Sequence, residues 1–225
     1  HYGTPAQKER FLKPLLAGEI YSCFSMTEPQ GGADPKVFTT KAVRDGDEWV
    51  INGSKTFITN GYSADLIITA VRTDPEKGAR GISLFAIPSD APGFSRGRKL
   101  DKVGQDEADT SELFFENVRV TDAEIIGDLD GGFIHMMQKL PQERLSCAIS
   151  NIAHAKQILV ETIQYAKDRK AFGQTVFDFQ NTRFTLAGLK AKMQAGWAHL
   201  DWAIARHLEG KLTAAEASAA KLFHT

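Results

Sequence analysis

The sequence predicts a multi-domain α+β protein, in which a short helix leads into an antiparallel β-sandwich or barrel and then into an incomplete C-terminal helical bundle. Two observations carry this. About six short β-type segments, separated by turn residues, occupy residues 21–128. After Gly131 the apolar spacing changes from two to three-and-four, the period of helices. The expected division is therefore residues 1–20 as the end of a helical region, 21–128 as the β-domain and 129–225 as the helical domain, with no internal repeat or low-complexity linker.

Taken in order, Thr4 to Gly18 reads as a helix: Thr4 can cap, Pro5 suits the first helical position, and Gly18 suits the end. Phe11, Leu12, Leu15 and Leu16 are its expected buried face. The β segments are Tyr21 to Thr27, Trp49 to Ile51, Thr56 to Thr59, Leu66 to Arg72, Gly81 to Ile87 and Glu112 to Val120. Asp45-Gly46 and Asn52-Gly53 read as hairpin-type turns, and Asp74-Pro75, Pro88 and Ala91-Pro92-Gly93 interrupt longer connections.

In the helical region, Leu145, Ala148, Ile149, Ile152, Leu159, Ile163 and Ala166 form one stripe. Proline donates no amide hydrogen and crowds the preceding turn, so the chain either begins a helix near Pro141 or kinks one there. Glu143 and Arg144 follow directly. An acid in a first helical turn meets the positive end of the dipole and gains ~0.3–1 kcal/mol, which would account for Glu143 without any chemistry. A second helix carries Leu186, Leu189, Met193, Trp197, Leu200, Ile204 and Leu208, ends at Glu209-Gly210-Lys211, and is followed by a third from Thr213.

Composition narrows the function. With 225 residues, 42% of them hydrophobic, the chain can bury a sizeable core. Lys plus Arg number 27 against 28 for Asp plus Glu, so no net field draws in nucleic acid or an anionic membrane. No apolar run approaches a membrane span, so a soluble protein is expected. Cys23 and Cys147 lie far apart and fit neither a disulfide framework nor zinc spacing. No charged-then-apolar leader precedes His1, and the chain is expected to be part of a longer product. A G-x-G-x-x-G after a strand, a phosphate loop, H-E-x-x-H and a nucleophile elbow are all missing. Rossmann nicotinamide enzymes, nucleotide triphosphatases, zinc hydrolases and serine hydrolases all lose ground.

Three stretches could carry chemistry. FSMTEPQGGAD, residues 24–34, runs a strand into a glycine-rich loop whose amides and threonine hydroxyl could hold a polar planar ligand, although an ordinary tight turn would use the same residues. KTFITNG, residues 55–61, places Phe57 and Thr59 on one face by alternation, as would any half-buried strand. RKAFGQTVFDFQ, residues 169–180, gathers guanidinium, aromatic and amide groups suited to phosphate and adenine recognition. Its basic residues would equally suit a solvated helix C-terminus.

Together these stretches resemble the acyl-CoA dehydrogenase family of flavoproteins. MTEP, GGAD, FITNG, LFFENVRV and DRKAFGQ occur in the family's order and relative spacing over nearly the whole chain. The resemblance implies FAD as cofactor, with Thr27 and Thr59 contacting the flavin ring and Phe57 standing where an aromatic, usually tryptophan, covers it. Ala33 falls at an acyl-CoA-binding loop position often filled by serine. Arg169, Phe172 and Gln180 are implied to reach across a dimer interface to the adenosine and pyrophosphate of FAD, which implies an obligate homo-oligomer, a dimer of dimers. LPQERL, residues 140–145, is most like the long-chain branch, whose base lies on this helix, here Glu143, with Arg144 on the substrate side or structural. The family's usual catalytic glutamate lies in a later stretch that this chain does not contain.

The implied reaction is α,β-dehydrogenation of an acyl-CoA thioester in fatty-acid β-oxidation, with an electron-transfer flavoprotein as acceptor. The implied compartment is the cytoplasm, or the mitochondrial matrix in a eukaryote. A carboxylate base needs a dry setting, because desolvation brings its pKa nearer neutrality. Two other readings stand beside this one: an acyl-CoA oxidase or flavin monooxygenase on the same scaffold, and a non-catalytic assembly module.

Overall fold

In a computed structural model describing residues 1–225, Thr4 caps the first helix through a reciprocal pair of hydrogen bonds. Its hydroxyl accepts from Gln7 N at 3.2 Å, and Gln7 Oε1 accepts from Thr4 N at 2.9 Å. This helix, α1, covers residues 5–17, loosens to a π turn over Lys8–Leu12, and closes on Gly18 at φ 72°. Its buried stripe is narrower than the sequence suggests. Phe11 is buried and Leu15 partly so, whereas Leu12 and Leu16 face outward. The third inward position belongs to Gln7, whose amide donates to Ala123 O and Ile125 O at 2.8 and 2.7 Å. Positions 7, 11 and 15 are one turn apart each, so a single row faces inward and its neighbours do not.

Seven strands form one sheet: β1 (Ser22–Ser25), β2 (Lys41–Asp45), β3 (Glu48–Thr59), β4 (Leu66–Arg72), β5 (Ile82–Pro88), β6 (Phe94–Lys99) and β7 (Thr110–Thr121). β5 pairs antiparallel with one edge of β4. The other edge takes β1 at its start and β2 at Arg72, both in parallel, and β3, β7 and β6 follow. Pairing is otherwise antiparallel, as expected. The sheet curls around a core that includes Ile51, Ile67, Phe85, Ile87, Leu113 and Val118. Ile82, Leu84 and Ala86 point to the opposite face of β5 and are covered there by Phe38, Met136 and Phe11. Burial on both faces explains why β5 reads as a continuous apolar run.

Three local expectations change. β2 and β6, KAVRD and FSRGRK, are strands that the sequence does not signal. Most of their residues are exposed, so neither alternates cleanly, and β6 is a charged edge strand. The expected segments Trp49 to Ile51 and Thr56 to Thr59 are one strand, β3. Asn52-Gly53 is therefore no hairpin turn but an irregularity inside it. Gly53 has φ 148°, and a Cβ there would lie 2.6 Å from Thr40 Cα, so glycine lets the chain entering β2 pass close to β3. Asn117 N donates to Asn52 Oδ1 at 2.9 Å and holds the irregularity in place. The true β2–β3 hairpin is at Gly46, φ 61°, where Asp45 pairs with Glu48.

The chain divides into two compact units, His1–Met136 and Met137–Thr225, so residues 1–20 cluster with the sheet. Helix α2 spans Gly132–Asp168 and includes Pro141 in its interior. It begins about three turns before Glu143, beyond the reach of the N-terminal dipole. The first-turn explanation of Glu143 therefore does not hold. Helix α3 spans Gln180–Leu208, and α4 spans Ala214–His224 behind a Thr213/Glu216 capping box. Leu145, Ala148, Ile152, Leu200, Ala203 and Ala220 form the core of this second unit. Alanines at the contacts let its helices approach closely.

Candidate functional site

Phe57 is held at φ 57°, a left-handed conformation uncommon for an aromatic residue, with its ring 66% exposed. The cause is a bulge. β3 and β7 lose register between Lys55 and Ile58, so Lys55 and Thr56 are buried in succession, Phe57 turns out and Ile58 turns in. Thr56 N donates to Thr27 O at 2.9 Å, joining the bulge to the segment that follows β1. The structure thus brings Thr27 beside Phe57, and Thr59 lies exposed two residues further along. Neither threonine hydroxyl makes a hydrogen bond within the chain. Gly32 keeps the space around Thr27 open, because a Cβ there would lie 2.9 Å from Thr27 Oγ1. An outward aromatic ring, two nearby threonines whose hydroxyls have no partner within the chain and a glycine-lined approach fit a planar, polar-edged group such as a flavin.

Beneath this edge lies a buried ion pair. Lys55 Nζ is 2.9 Å from Glu28 Oε1, with both side chains fully buried. Lys55 also donates to Met26 O at 2.9 Å. The Glu28 carboxylate further accepts from Gln30 Nε2, from Thr39 N and Oγ1, and from Thr40 N. Burial disfavours both charges. For Glu28, Lys55 and the threonine donors outweigh burial and hold the carboxyl at about 2. For Lys55, burial outweighs Glu28 and brings the ammonium down to about 8. Both groups are ionised at neutral pH.

The turn after Thr59 is anchored separately. Asp109 accepts from Tyr62 N at 2.8 Å and from Ser63 Oγ at 2.5 Å, while its carbonyl accepts from Asn60 N at 2.9 Å. Glu28, Lys55 and Asp109 were not among the expected site residues. No spacing rule signals them, because each works through partners far away in the chain. Ala33 lies exposed in the loop beyond Gly32.

The other expected site residues belong to the helical unit. β8 (Lys170–Ala171) and β9 (Gln174–Thr175) form a hairpin whose two turn residues are Phe172 and Gly173, at φ 52° and 80°. Phe172 is 96% exposed, with only an edge contact to Phe179 at 6.4 Å. Arg169 precedes this hairpin and Gln180 opens α3, both exposed. Glu143 is exposed on α2 and makes no hydrogen bond or ion pair, and Arg144 beside it is half-buried. The structure does not bring these two groups together: Glu143 lies about 37 Å along the helix axis from Asp168. No helix is long and apolar enough to cross a membrane.

Two family models match the chain: the acyl-CoA dehydrogenase middle domain over residues 23–118 and the acyl-CoA dehydrogenase C-terminal domain over residues 130–225. A mitochondrial long-chain specific acyl-CoA dehydrogenase of Rattus norvegicus is 41% identical over 223 residues, covering 98% of this chain and 52% of that protein. The crystal structure of an acyl-CoA dehydrogenase from Geobacillus kaustophilus superposes with a TM-score of 0.95 at 44% identity, over 98% of this chain and 58% of that one. A glutaryl-CoA dehydrogenase from Mycobacterium smegmatis, in complex with FADH2, has a TM-score of 0.91 at 30% identity, over 100% and 56% of the respective chains. The chain spans about half the length of the curated relatives it matches.

Proposed function

Because this chain belongs to the acyl-CoA dehydrogenase family, as its middle and C-terminal domains, we propose that the protein it forms part of converts acyl-CoA thioesters to trans-2-enoyl-CoA in fatty-acid β-oxidation, with FAD as cofactor. The observation that carries the reading is Phe57, held outward at φ 57° at the bulge that Thr56 ties to Thr27, with the Thr27 and Thr59 hydroxyls free of partners within the chain. FAD, when bound, supplies the acceptor for the hydride leaving the β carbon. Phe57 covers the ring face, and Thr27 and Thr59 donate to its polar edge. Arg169, Phe172 and Gln180 hold the adenosine and pyrophosphate of the cofactor in a second copy of the chain, within a dimer of dimers.

Glu143 takes the proton from the α carbon. Its carboxylate is exposed and has no partner within the chain, so nothing need be broken for it to meet a substrate. Bound acyl chain would exclude water around it. Arg144 lies on the substrate side, and Ala33 offers a methyl to the acyl-CoA. Electrons then leave to an electron-transfer flavoprotein, in the cytoplasm or, in a eukaryote, the mitochondrial matrix.

The test uses the full-length protein. A yellow, FAD-containing protein whose visible flavin band bleaches anaerobically on addition of acyl-CoA supports the reading. A colourless protein that does not take up FAD points instead to a non-catalytic module. Oxygen consumption without an added acceptor points to an oxidase or monooxygenase.

A further inference from the structure

We propose that the buried Lys55–Glu28 pair is a positioning device for the flavin-facing edge, fixing Thr27 relative to Phe57. The inference rests on the proposed role of those two residues as flavin contacts. A buried ion pair is poor evidence for a stabilising role, because well-packed apolar residues of similar volume often do as well or better. What an apolar pair cannot reproduce here is direction. The Lys55 ammonium bonds at 2.9 Å both to Met26 O and to Glu28 Oε1, the residues on either side of Thr27. The Phe38 ring lies 4.5 Å from the same ammonium and closes a further side.

The two ends of this clamp are the two parts of the site. Thr27 lies between the acceptors, and the lysine itself stands two residues before Phe57, at the start of the bulge. Thr56 N to Thr27 O, at 2.9 Å, is a third tie between the same segments. Side chains alternate along a strand, so a slip of one residue at the bulge would turn Phe57 inward and Ile58 outward. Lys55 opposes such a slip, because its ammonium meets the acceptors beside Thr27 in only one register. Glu28 in turn is held by Gln30, Thr39 and Thr40, which tie the clamp to the chain entering β2. The pair touches neither flavin nor substrate in this reading and acts through its neighbours.

The experiment uses full-length protein carrying Lys55→Met, and a Lys55→Met/Glu28→Gln double variant that leaves no buried unpaired charge. FAD affinity of the apoprotein, the shape of the visible flavin band and the flavin midpoint potential are measured at a temperature where far-UV circular dichroism shows each variant folded. The expected result for either variant is an FAD Kd raised about tenfold, equivalent to ~1.4 kcal/mol, with an altered band shape and a shifted potential. A folded variant with wild-type Kd, band and potential, whatever its Tm, overturns the proposal and leaves the flavin reading standing. If the single variant fails to fold, the double variant decides by the same readouts. Wild-type protein that binds no FAD overturns the flavin reading itself, and this proposal with it.

Discussion

Thr56 N donates to the carbonyl of Thr27 at 2.9 Å, so the residue before Phe57 is fixed to the segment that follows β1. Lys55 and Thr56 are buried in succession, and at the bulge that breaks the alternation Phe57 stands outward at φ 57°. Strain of this kind costs roughly 1 kcal/mol for a residue with a β carbon. The mostly exposed ring regains little of that through burial. Phe57→Asn replaces it with a residue that tolerates this conformation. Urea unfolding of the apoprotein should show stability unchanged or raised by up to ~1 kcal/mol, while FAD affinity falls. Loss of stability with intact FAD affinity would mean that the ring packs inward and serves the fold.

Phe172 poses the same question at the tip of the β8–β9 hairpin, where Asn-Gly would suit the two positive φ angles better than Phe-Gly. Phe172→Asn should therefore leave the thermal stability of the isolated chain equal or higher. In the full-length protein, sedimentation and FAD titration should show weaker assembly or weaker cofactor retention. Unchanged values of both would remove Phe172 from the intersubunit site.

Glu143→Gln removes a carboxylate that has no partner within the chain, so stability should change by less than about 0.5 kcal/mol. FAD content should be unaltered. Flavin reduction by acyl-CoA in a single turnover should slow by a factor of about 10² to 10⁴, the usual worth of a general base. Undiminished reduction would rule Glu143 out as the base.

Glu28 links stability to acid. Its carboxyl is lowered from 4.5 to about 2 in the folded chain, so its contribution is present in full above the unfolded value and is lost as pH falls through the folded one. Urea unfolding between pH 4.5 and 2 should show wild-type stability falling more steeply than that of Glu28→Gln, which has no such proton to take up. Parallel slopes would mean that the Glu28 carboxyl has the same pKa folded and unfolded, so that the ion pair does not hold it down.

Much of the fold was legible because it depends on neighbours in sequence. The Thr4 and Thr213 caps, the Gly18 stop, the Gly46 hairpin and the bounds of β4 all follow from residues within a few positions of each other. β2 and β6 were hidden because backbone pairing holds both while most of their side chains are exposed, so neither shows the alternation of a half-buried strand. Asn52-Gly53 has the local signature of a turn, yet Thr40 and Asn117 make it part of a strand. At the candidate site, the motifs named Thr27, Phe57 and Thr59. They did not reveal that Phe57 is strained or that a lysine lies buried beneath it.

By itself, then, the sequence determined the succession of helix, β-domain and helical region and the family, because caps, turn residues and motifs are read from short windows. Only the tertiary structure decided that Glu143 lies within a helix rather than at its start, and that Lys55 pairs with Glu28. The first depends on a proline being accommodated inside a helix, which a local rule counts as a break. The second joins residues 27 positions apart. Such a pairing is set by which strands become neighbours, and no window along the chain contains that information.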